Sequence, residues 1–451
     1  MRVAIVGAGP AGFYAAGHLI KAGAQVDVLD LLPTPFGLVR AGVAPDHPKI
    51  KSVTRVFDKT AAEPGFRFFG NVEVGTAINP DELAAHYDAV IYSFGAATDR
   101  RMGIPGEDLP GSHPATDFVA WYNGHPDYAG HEFDLSAERV AVIGNGNVAI
   151  DVARMLVLSD KELAATDVAD HALAGFRASR VREVLIIGRR GPAQAAFTNP
   201  EVLELGELDG ADVHVDPSDA ELDPLSRAWL DEHGDKTRRV NVQTLAAYAA
   251  RPSTDAARRI RLRFLSSPVA IHGDGRVESI ELERNEIVER DGRLAPRGTG
   301  ETETIPVDLV FRSIGYRGVA IAGLPFDDAR GVIPNEGGRV IDAEGAAVPG
   351  VYVAGWIKRG PSGVIGTNKQ DAIQTAKALI EDHEAGRLPA PSGDDDALLD
   401  LLAARCPDHV TFAGWQAIDE VERAAGEPQG RPRVKLVTRD ELTGAARGVA
   451  R

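Results

Sequence analysis

The stretch RVAIVGAGPAG, residues 2–12, decides the fold of this chain. Its apolar first half predicts a buried strand, and three glycines follow that strand where a helix would begin. In this context Gly7 permits a tight turn, Gly9 lets the backbone approach a pyrophosphate, and Gly12 lets the helix pack closely. The N-terminus of such a helix also attracts phosphate charge. The motif therefore predicts a dinucleotide site; the alternative is that the glycines only tighten a turn.

An acidic residue completes this first motif. A second buried strand, Val26 to Leu29, ends at Asp30, which lies 18 residues after Gly12. A carboxylate at this position accepts hydrogen bonds from the ribose hydroxyls of an adenosine. The alternative for Asp30 is a solvated acid at a strand end.

The same order of strand, glycine-containing turn and helix recurs near residue 140. After the strand Val140 to Ile143 comes GNGNVA, residues 144–149, in which alanine replaces the third glycine. The next strand, Val184 to Ile187, is followed by Arg189 and Arg190, near where an NAD site would carry an acid. A carboxylate would repel a 2′-phosphate, whereas guanidinium groups bind it. This second site is predicted to prefer NADPH over NADH.

A third recurrence lies near residue 350. The strand Val351 to Ala354 precedes Trp356, and GPSGVIG, residues 360–366, forms a loop with little side-chain bulk. Such a loop suits the approach of a flat ring. Thr367 and Gln370 have the spacing of a capping box, which predicts that a helix with a positive N-terminal end begins there.

These repeats predict an α/β fold with parallel, doubly wound sheets. Between them, Arg261 to Leu265 and Val277 to Leu282 alternate polar and apolar residues around Gly273-Asp274-Gly275, which predicts a hairpin. The stretch from Leu388 to Asp396, rich in Pro, Gly and Asp, predicts an exposed connector before a C-terminal tail of mixed helices.

Length, charge and cysteine content narrow the function classes. A chain of 451 residues is too long for one core, so two or three domains are expected. The net charge of −17 argues against duplex nucleic acid as the main partner. The lone cysteine, Cys406, excludes an internal disulfide, a CxxC pair and a cysteine-ligated iron–sulfur cluster within this chain. No cluster of metal ligands is evident.

No targeting or membrane segment is expected. The apolar start, Met1 to Ile20, has the length of a secretory signal, but it contains the glycine motif and leads into a second strand. No stretch reaches the roughly 18 uninterrupted apolar residues of a membrane helix. We therefore expect a cytoplasmic protein.

With these residues assembled, the chain resembles the adrenodoxin-reductase-like ferredoxin–NADP reductases over nearly its full length. The closely matching segments are residues 33–40, 42–48, 188–198 and 355–361. The resemblance implies two Rossmann-like lobes, with an NADPH lobe inserted into an FAD lobe. The implied boundaries are residues 1–100 and 319–451 for FAD, the latter including the C-terminal tail, and residues 101–318 for NADPH.

The resemblance also implies site residues. Together with the first motif it assigns to FAD the residues Gly7, Gly9, Ala11, Gly12, Asp30, Leu38, Val74, Trp356, Gly363, Val364 and Ile365. To NADPH it assigns Arg100, Asn145, Gly146, Asn147, Val148, Arg189, Arg190 and Glu201. His47 and Glu204 are implied to lie near the flavin and to organise a proton route.

The chain departs from many relatives at Asp30, and the roles of His47, Glu201 and Glu204 have an alternative. Many relatives carry Glu where this chain has Asp30, so its reach to the ribose is shorter and weaker FAD retention is expected. Asn199 and Pro200 predict a helix start that sets Glu201 and Glu204 on one face. Exposed helix carboxylates are nevertheless common, and a histidine in a proline-rich loop is often structural.

The implied reaction passes a hydride from NADPH to FAD and then single electrons to a separate ferredoxin. Ferredoxins are usually acidic, so a local basic patch is needed on so acidic a chain. Lys236, Arg238 and Arg239 are candidates, and further arginines follow at positions 258, 259, 261 and 263. The alternative for this run is a solvated face with neighbouring acids.

Two other functions remain open. The chain could be an NADPH-dependent flavoprotein subunit of a larger complex, like the small subunit of glutamate synthase, although it lacks the cysteines of that subunit. It could also be a non-catalytic NADPH sensor. A disulfide reductase is excluded by the absent CxxC pair, and a yellow colour that NADPH bleaches would separate the enzyme from the sensor.

Overall fold

The computed structural model describes residues 1–254, 256–363, 365–393 and 395–448. Its strands are β1 (Arg2–Val6), β2 (Gln25–Asp30), β3 (Phe66–Gly70), β4 (Ala89–Tyr92), β5 (Thr98–Asp99), β6 (Ser112–Pro114), β7 (Arg139–Ile143), β8 (Glu183–Ile187), β9 (Ala211–Val215), β10 (Arg258–Arg263), β11 (Ser266–His272), β12 (Ser279–Arg290), β13 (Arg293–Pro306), β14 (Leu309–Arg312), β15 (Tyr316–Arg317), β16 (Asn335–Glu336), β17 (Arg339–Ile341) and β18 (Ala347–Val353).

The α-helices are α1 (Pro10–Lys21), α2 (Leu38–Ala41), α3 (Pro48–Lys51), α4 (Thr54–Ala61), α5 (Pro80–Ala84), α6 (Ala115–Tyr122), α7 (Asn147–Val157), α8 (Asp160–Ala164), α9 (Asp170–Arg177), α10 (Asn199–Glu204), α11 (Pro217–Ala220), α12 (Pro224–His233), α13 (Lys236–Ala249), α14 (Trp356–Arg359), α15 (Ile365–Glu384), α16 (Asp395–Arg405), α17 (Phe412–Gly426) and α18 (Arg439–Ala446). None of the helices described is both long enough and apolar enough to cross a membrane.

The chain divides into two compact units. The first unit contains Met1–Thr98, Asn123–Ala129 and Tyr316–Arg451, and the second contains Asp99–Tyr122 and Gly130–Gly315. The predicted boundaries differ from this division chiefly at residues 123–129, which group with the first unit.

Contacts from the C-terminal tail explain that difference. The Lys435 ammonium donates to the backbone carbonyl of Asn123 at 3.1 Å, and the Arg439 guanidinium pairs with Asp127 at 2.9 Å. Because these partners are some three hundred residues apart along the chain, local sequence carries no signal of the contact.

The first unit is built on a seven-stranded sheet in the order β16-β17-β18-β4-β1-β2-β3. Five of these strands run parallel, and β16 and β17 join antiparallel at the edge. Both faces are covered, because Val3 and Ile5 lie in one apolar cluster while Ala4 and Val6 lie in another. Burial of both faces explains why β1 is a continuous apolar run.

The C-terminal tail covers both faces of this sheet. Trp415 of α17 and Leu442 of α18 belong to the cluster that contains Val3, whereas Leu398 and Leu402 of α16 belong to the other cluster. The expected connector and mixed helices are therefore observed. The sequence did not indicate that the tail completes the core.

A buried charge network fastens the tail to α2. Glu422 of α17 is fully buried and accepts hydrogen bonds from Arg40 at 2.8 Å and Arg433 at 3.1 Å. Burial favours the neutral acid, but these two guanidinium groups hold the pKa of Glu422 below its ordinary value. Arg40 also stacks over Trp415, with 5.2 Å between the guanidinium carbon and the ring centre.

The second unit is built on a six-stranded parallel sheet in the order β6-β14-β7-β8-β10-β9. A three-stranded antiparallel sheet, β11-β12-β13, packs on one face through Ile271 and Ile280, which share a cluster with Ile143 and Ile187. Aromatic side chains cover the other side of β14, where Phe118 stacks on Phe311 with ring centres 4.5 Å apart.

The hairpin prediction was wrong about its first strand. The strands on either side of Gly273-Asp274-Gly275 are β11 and β12, whereas Arg261–Arg263 belong to β10 of the parallel sheet. In β10 the apolar Ile260 and Leu262 are buried while the arginines between them point away. Alternation along one strand does not reveal whether its neighbours are parallel, and this explains the error.

Candidate functional site

The first glycine motif joins the end of β1 to the start of α1. An added Cβ would lie 2.7 Å from the Phe94 backbone at Gly7 and 2.2 Å from the Gly7 carbonyl oxygen at Gly12. Gly7 also has a φ of +108°, which disfavours any other residue. An added Cβ at Gly9 would meet nothing within 4 Å. The first two contacts serve the protein's own packing, whereas the space over Gly9 is open.

Gly9 is also the N-cap of α1, and no side chain caps it. The N–H groups in the first turn of a helix have no partner within the helix, and such groups beside open space can bind phosphate. Ala11 is the second residue of α1 and is buried. The predicted phosphate cradle is therefore physically available.

Asp30 lies at the end of β2, beside this loop. Its carboxylate accepts the N–H of Ala8 at 2.6 Å and the N–H of Leu32 at 2.8 Å. Burial raises the pKa of Asp30 to about 6, although these backbone donors oppose the shift. A carboxylate offers about four acceptor positions, so two remain for a ligand.

Leu38 and Val74, two further predicted FAD contacts, differ in exposure. Leu38 is partly exposed and begins α2, directly after Gly37, whose added Cβ would lie 3.0 Å from the Gly9 backbone. Val74 is buried in the cluster that contains Leu29. Leu38 is therefore open to a ligand beside Gly9, and Val74 supports the sheet edge.

The turn before α14 brings Trp356 next to α1. An added Cβ at Gly355, which has a φ of +77°, would lie 2.8 Å from the Ala11 Cβ. The Trp356 ring centre lies 5.3 Å from that of Tyr316. Its indole Nε1 is buried and has no hydrogen-bond partner among the residues described. A buried donor of this kind calls for an acceptor that the chain itself does not supply.

A buried ion pair that the sequence did not indicate holds this turn. The Lys358 ammonium lies 2.8 Å from the Asp371 carboxylate, and both side chains are only 8% exposed. Asp371 also accepts the Gly355 N–H, and Lys358 also contacts the hydroxyl of Thr375 at 3.2 Å. The pair therefore ties α14 to α15 and sets the position of Trp356.

Replacement of Asp371 by Asn is expected to lower the free energy of unfolding by about 3 kcal/mol, because the Lys358 charge then stays buried without its counter-ion. Urea denaturation followed by circular dichroism measures this change. The matched control is Asp108→Asn, which breaks an exposed pair with Arg101 and should leave the free energy of unfolding nearly unchanged. Equal stability of D371N and the parent would contradict the assignment.

The loop before α15 differs from its prediction in one respect. The helix already includes Ile365, so Thr367 lies inside its first turn and the predicted capping box is wrong. Gly363 has a φ of +80°, and an added Cβ would lie 2.5 Å from the Thr367 hydroxyl. The helix begins early enough that Thr367 packs against this glycine. Val364, a predicted contact, lies outside the described residues.

In the second unit, the second glycine motif repeats the first. Gly146 is the N-cap of α7 without a side-chain cap, and an added Cβ there would meet nothing within 4 Å. By contrast, a Cβ at Gly144 would lie 2.0 Å from the Ser313 carbonyl oxygen. The amide Nδ2 of Asn145 is buried without a partner among the described residues. This unit therefore offers its own phosphate cradle.

Asn147 and Val148 belong to the same motif, and Arg100 is another predicted NADPH contact. Asn147 accepts the backbone N–H of Thr198 at 2.8 Å, so it fixes the loop before α10. Val148 is partly exposed. The Arg100 N–H donates to the Gly315 carbonyl at 3.0 Å, and its side chain is exposed.

Arg189 and Arg190 follow β8 with exposed side chains and fixed backbones. The Arg189 carbonyl accepts from the Asn285 amide at 2.9 Å, and the Arg190 carbonyl accepts from the Leu265 N–H at 3.1 Å. Across the part of the chain that the structure describes, neither guanidinium has an ion pair. Both groups are therefore available to an anionic ligand.

Arg154, which the sequence analysis missed, organises the acids of α10. Glu201 is buried and Glu204 is partly exposed, and Arg154 lies 3.5 Å from the first and 3.1 Å from the second. Arg154 also pairs with Asp151 at 2.9 Å. A cation within the apolar run of residues 152–157 was the available signal. The N-cap of α10 is Thr198, where Asn199 was predicted.

His47 lies in the first unit, where it is buried and occupies the N-cap position of α3. Glu204 belongs to the second unit. The proton route predicted from these two residues stays a prediction.

The basic run on α13 is partly neutralised by neighbouring acids. Arg238 pairs with Asp235 at 2.7 Å, and Arg239 pairs more loosely with Asp231 at 3.7 Å. Arg238 also lies over the ring of Trp229. Of the arginines on β10, Arg263 pairs with Asp219 and Glu303. This arrangement resembles the alternative of a solvated face with nearby acids.

Comparisons with known proteins agree with these observations. The family model described as pyridine nucleotide-disulphide oxidoreductase matches residues 1–186. The chain is 53% identical to the NADPH-ferredoxin reductase FprA of Mycobacterium tuberculosis, over 98% of each chain. It is 41% identical to the mitochondrial NADPH:adrenodoxin oxidoreductase of Arabidopsis thaliana, over 99% of this chain and 95% of that protein.

The chain is also similar to a solved structure. The structure of Mycobacterium tuberculosis FprA in complex with NADPH superposes with a TM-score of 0.93, at 52% identity and over 99% of both chains. The match spans both units, and the predicted fold class is confirmed.

Proposed function

Because the chain belongs to the family of NADPH-ferredoxin reductases, we propose that it oxidises NADPH and passes single electrons to a separate ferredoxin. The observation that carries this proposal is the pair of open phosphate cradles at Gly9 and Gly146, one in each unit. The exposed, unpaired guanidinium groups after β8 support NADPH over NADH. The two alternatives, a subunit of a larger complex and a non-catalytic sensor, lack a comparable observation.

The residues fit FAD in the first unit and NADP(H) in the second. In the first unit the α1 N-terminus would bind the pyrophosphate, Asp30 would accept the ribose hydroxyls, and the orphan indole N–H of Trp356 would donate to the cofactor. In the second unit the α7 N-terminus and Asn145 would bind the NADP(H) phosphates. Bound FAD supplies the chemistry that converts a two-electron donor to a one-electron donor.

Two features of the chain bear on the electron acceptor and on proton transfer. With one cysteine, the chain cannot hold a cysteine-ligated cluster, so the cluster that receives the electrons belongs to another protein.

His47 and Glu204 are proposed to hold and move a proton, and Arg154 keeps Glu204 in place. The pH profile of NADPH oxidation in H47N and E204Q should differ from that of the parent; identical profiles would argue against this route. A cytoplasmic location stays a prediction.

The test of the proposed function uses the purified full chain. It should be yellow, lose its colour with NADPH more readily than with NADH, and reduce ferricyanide. Addition of an acidic ferredoxin should then allow reduction of cytochrome c. A colourless protein would support the sensor, and cytochrome c reduction at full rate without ferredoxin would contradict the partner.

The pH dependence of FAD binding should follow Asp30. Its folded pKa of about 6 lies above the ordinary carboxyl value, so the acceptor form is lost as the pH falls through 6. We expect FAD affinity to weaken by up to about tenfold for each pH unit below 6. The stability of the apoprotein has the opposite sign: this group's contribution is present below pH ~4 and is lost as the pH rises through 6.

Fluorescence titration of the apoprotein with FAD between pH 5 and 8 measures this dependence. The matched variant is Asp30→Asn, which should bind FAD weakly at every pH. A slope in D30N as steep as in the parent would assign the titration to another group.

The α13 run remains a proposed contact for ferredoxin. Arg238→Glu with Arg239→Glu should raise the KM for ferredoxin and lower its dependence on salt, because electrostatic attraction is removed. Ferricyanide reduction should persist. Since both arginines already pair with acids, we expect an increase in KM of only about threefold. No change in KM would remove α13 from the interface.

A further inference from the structure

A basic helical segment of the first unit lies directly after His47. Helices α3 and α4 are joined by Ser52 and Val53, both of which have right-handed helical backbone. The Ser52 N–H donates to the Pro48 carbonyl at 3.1 Å, and the Val56 N–H donates to the Val53 carbonyl at 2.9 Å. Residues 48–61 therefore form one nearly continuous helical segment.

Buried aromatic packing fixes which face of this segment points outward. Phe57 is fully buried and stacks on Phe13, with ring centres 5.0 Å apart. The residues on the opposite side follow helical spacing and are exposed. We name this face the α3–α4 stripe, and it consists of Lys49, Ser52, Arg55, Val56 and Lys59.

The stripe is positive on a strongly negative chain. Residues 48–61 contain four cations, Lys49, Lys51, Arg55 and Lys59, and one carboxylate, Asp58, which gives +3 where the whole chain carries −17. Within the described ranges, Lys49, Arg55 and Lys59 have no ion pair, unlike Arg238 and Arg239 of α13.

The single carboxylate of the segment does not offset these charges. Burial and the nearby Asp419 of α17 raise the pKa of Asp58, while Arg423 and Arg433 oppose that shift. Asp58 thus interacts electrostatically with α17, and among the described residues it forms no ion pair with Arg55 or Lys59. The three unpaired cations keep their attraction for an anionic partner.

The stripe also has the composition of a protein interface. Val56 is 49% exposed and lies between the cations, and Ile50 at the start of the segment is 39% exposed. Apolar side chains surrounded by cations are typical of a surface that docks an acidic protein. Because the chain as a whole is strongly negative, the binding of an acidic protein requires a local positive surface.

We propose that the α3–α4 stripe is a docking surface for the acidic iron–sulfur protein that receives the electrons. The inference rests on the proposed function and adds where the partner binds. Pro48, the first residue of α3, follows His47 directly, and His47 is the residue proposed to lie near the redox centre. A partner bound to the stripe is thus held next to the segment that reaches the cofactor.

The test reverses the three unpaired charges in Lys49→Glu, Arg55→Glu and Lys59→Glu combined. With NADPH as donor, an acidic bacterial ferredoxin as probe and cytochrome c as final acceptor, the KM for ferredoxin should rise about tenfold or more at low salt. The dependence of KM on salt should fall, because fewer charges attract the partner. The rate of ferricyanide reduction by NADPH should not change.

The matched control reverses three positive charges elsewhere. It combines Arg182→Glu, Arg290→Glu and Arg293→Glu, all at exposed residues of the second unit. This control should leave KM within about twofold, since charges outside an interface contribute little. An increase as large as that of the stripe variant would show an effect of net charge alone and would overturn the proposal.

Other outcomes are also decisive. Unchanged KM and salt dependence in the stripe variant, with normal ferricyanide reduction in both proteins, would overturn the docking surface but leave the proposed function intact. A parent protein that reduces neither ferricyanide nor ferredoxin would instead refute the proposed function. If the stripe variant loses binding to vesicles of anionic phospholipid but keeps its KM for ferredoxin, the stripe is a membrane contact and the proposal fails.

Discussion

Replacement of Gly9 by Ala is expected to weaken FAD binding about a thousandfold while the first unit stays folded. The added methyl group meets nothing within 4 Å, and Gly9 has a φ of −81°, which alanine adopts without strain. The methyl would occupy the space over the α1 N-terminus and keep the pyrophosphate from its N–H donors. Loss of two charge-assisted hydrogen bonds amounts to about 4 kcal/mol. Flavin absorbance and a fluorescence titration measure the effect.

The chain offers two matched variants for this test. Gly146→Ala is the same change at the second cradle and should weaken NADPH binding while FAD content stays normal. Gly130→Ala also adds a methyl in open space, but away from both glycine motifs, and should change neither. If G9A retains FAD with the affinity of G130A, the pyrophosphate does not lie over Gly9.

Reversal of both Arg189 and Arg190 to Glu should abolish the preference for NADPH. Neither guanidinium is committed to an ion pair, and each is expected to contribute about 2 kcal/mol through charge-assisted hydrogen bonds to the 2′-phosphate. We expect kcat/KM for NADPH to fall about a thousandfold, whereas that for NADH should change by less than about threefold. Steady-state ferricyanide reduction with each nucleotide measures both values.

Arg182→Glu is the control, because it reverses an exposed charge at the opposite end of β8. It should leave the ratio of the two kcat/KM values unchanged. A parallel fall for NADPH and NADH in the double variant would mean that the arginines bind a part that both nucleotides share. In that case Arg189 and Arg190 would not explain a preference for NADPH over NADH.

Local patterns carried most of the sequence predictions that held. The apolar runs of β1, β2, β7 and β8, each next to glycines or an acid, were sufficient for the α/β fold and for both dinucleotide motifs. These features depend on a few adjacent residues, because a strand, a tight turn and a helix start are set by local backbone geometry. The errors also came from local patterns: β10 alternates like a hairpin strand, and Thr367 has capping spacing inside a helix.

Contacts between distant segments were beyond the reach of these patterns. Arg154 gathers Glu201 and Glu204 across about fifty residues, and Glu422 joins the tail to Arg40 across almost four hundred. No local spacing signals such pairs, because the attraction between the two charges becomes strong enough to offset the cost of desolvating them only when folding brings them together. The Lys358 and Asp371 pair is closer in sequence, but it becomes a buried pair only when α14 packs on α15.

The sequence by itself determined the fold class, the two glycine motifs and the preference of the second motif for NADPH over NADH. Each of these depends on residues that are neighbours in the chain. Only the tertiary structure decided which glycines leave open space for a ligand, which cations are free of acids, and that the C-terminal tail completes the first unit. Those properties depend on what packs around a residue. Packing of that kind is set by segments that the chain brings together only on folding.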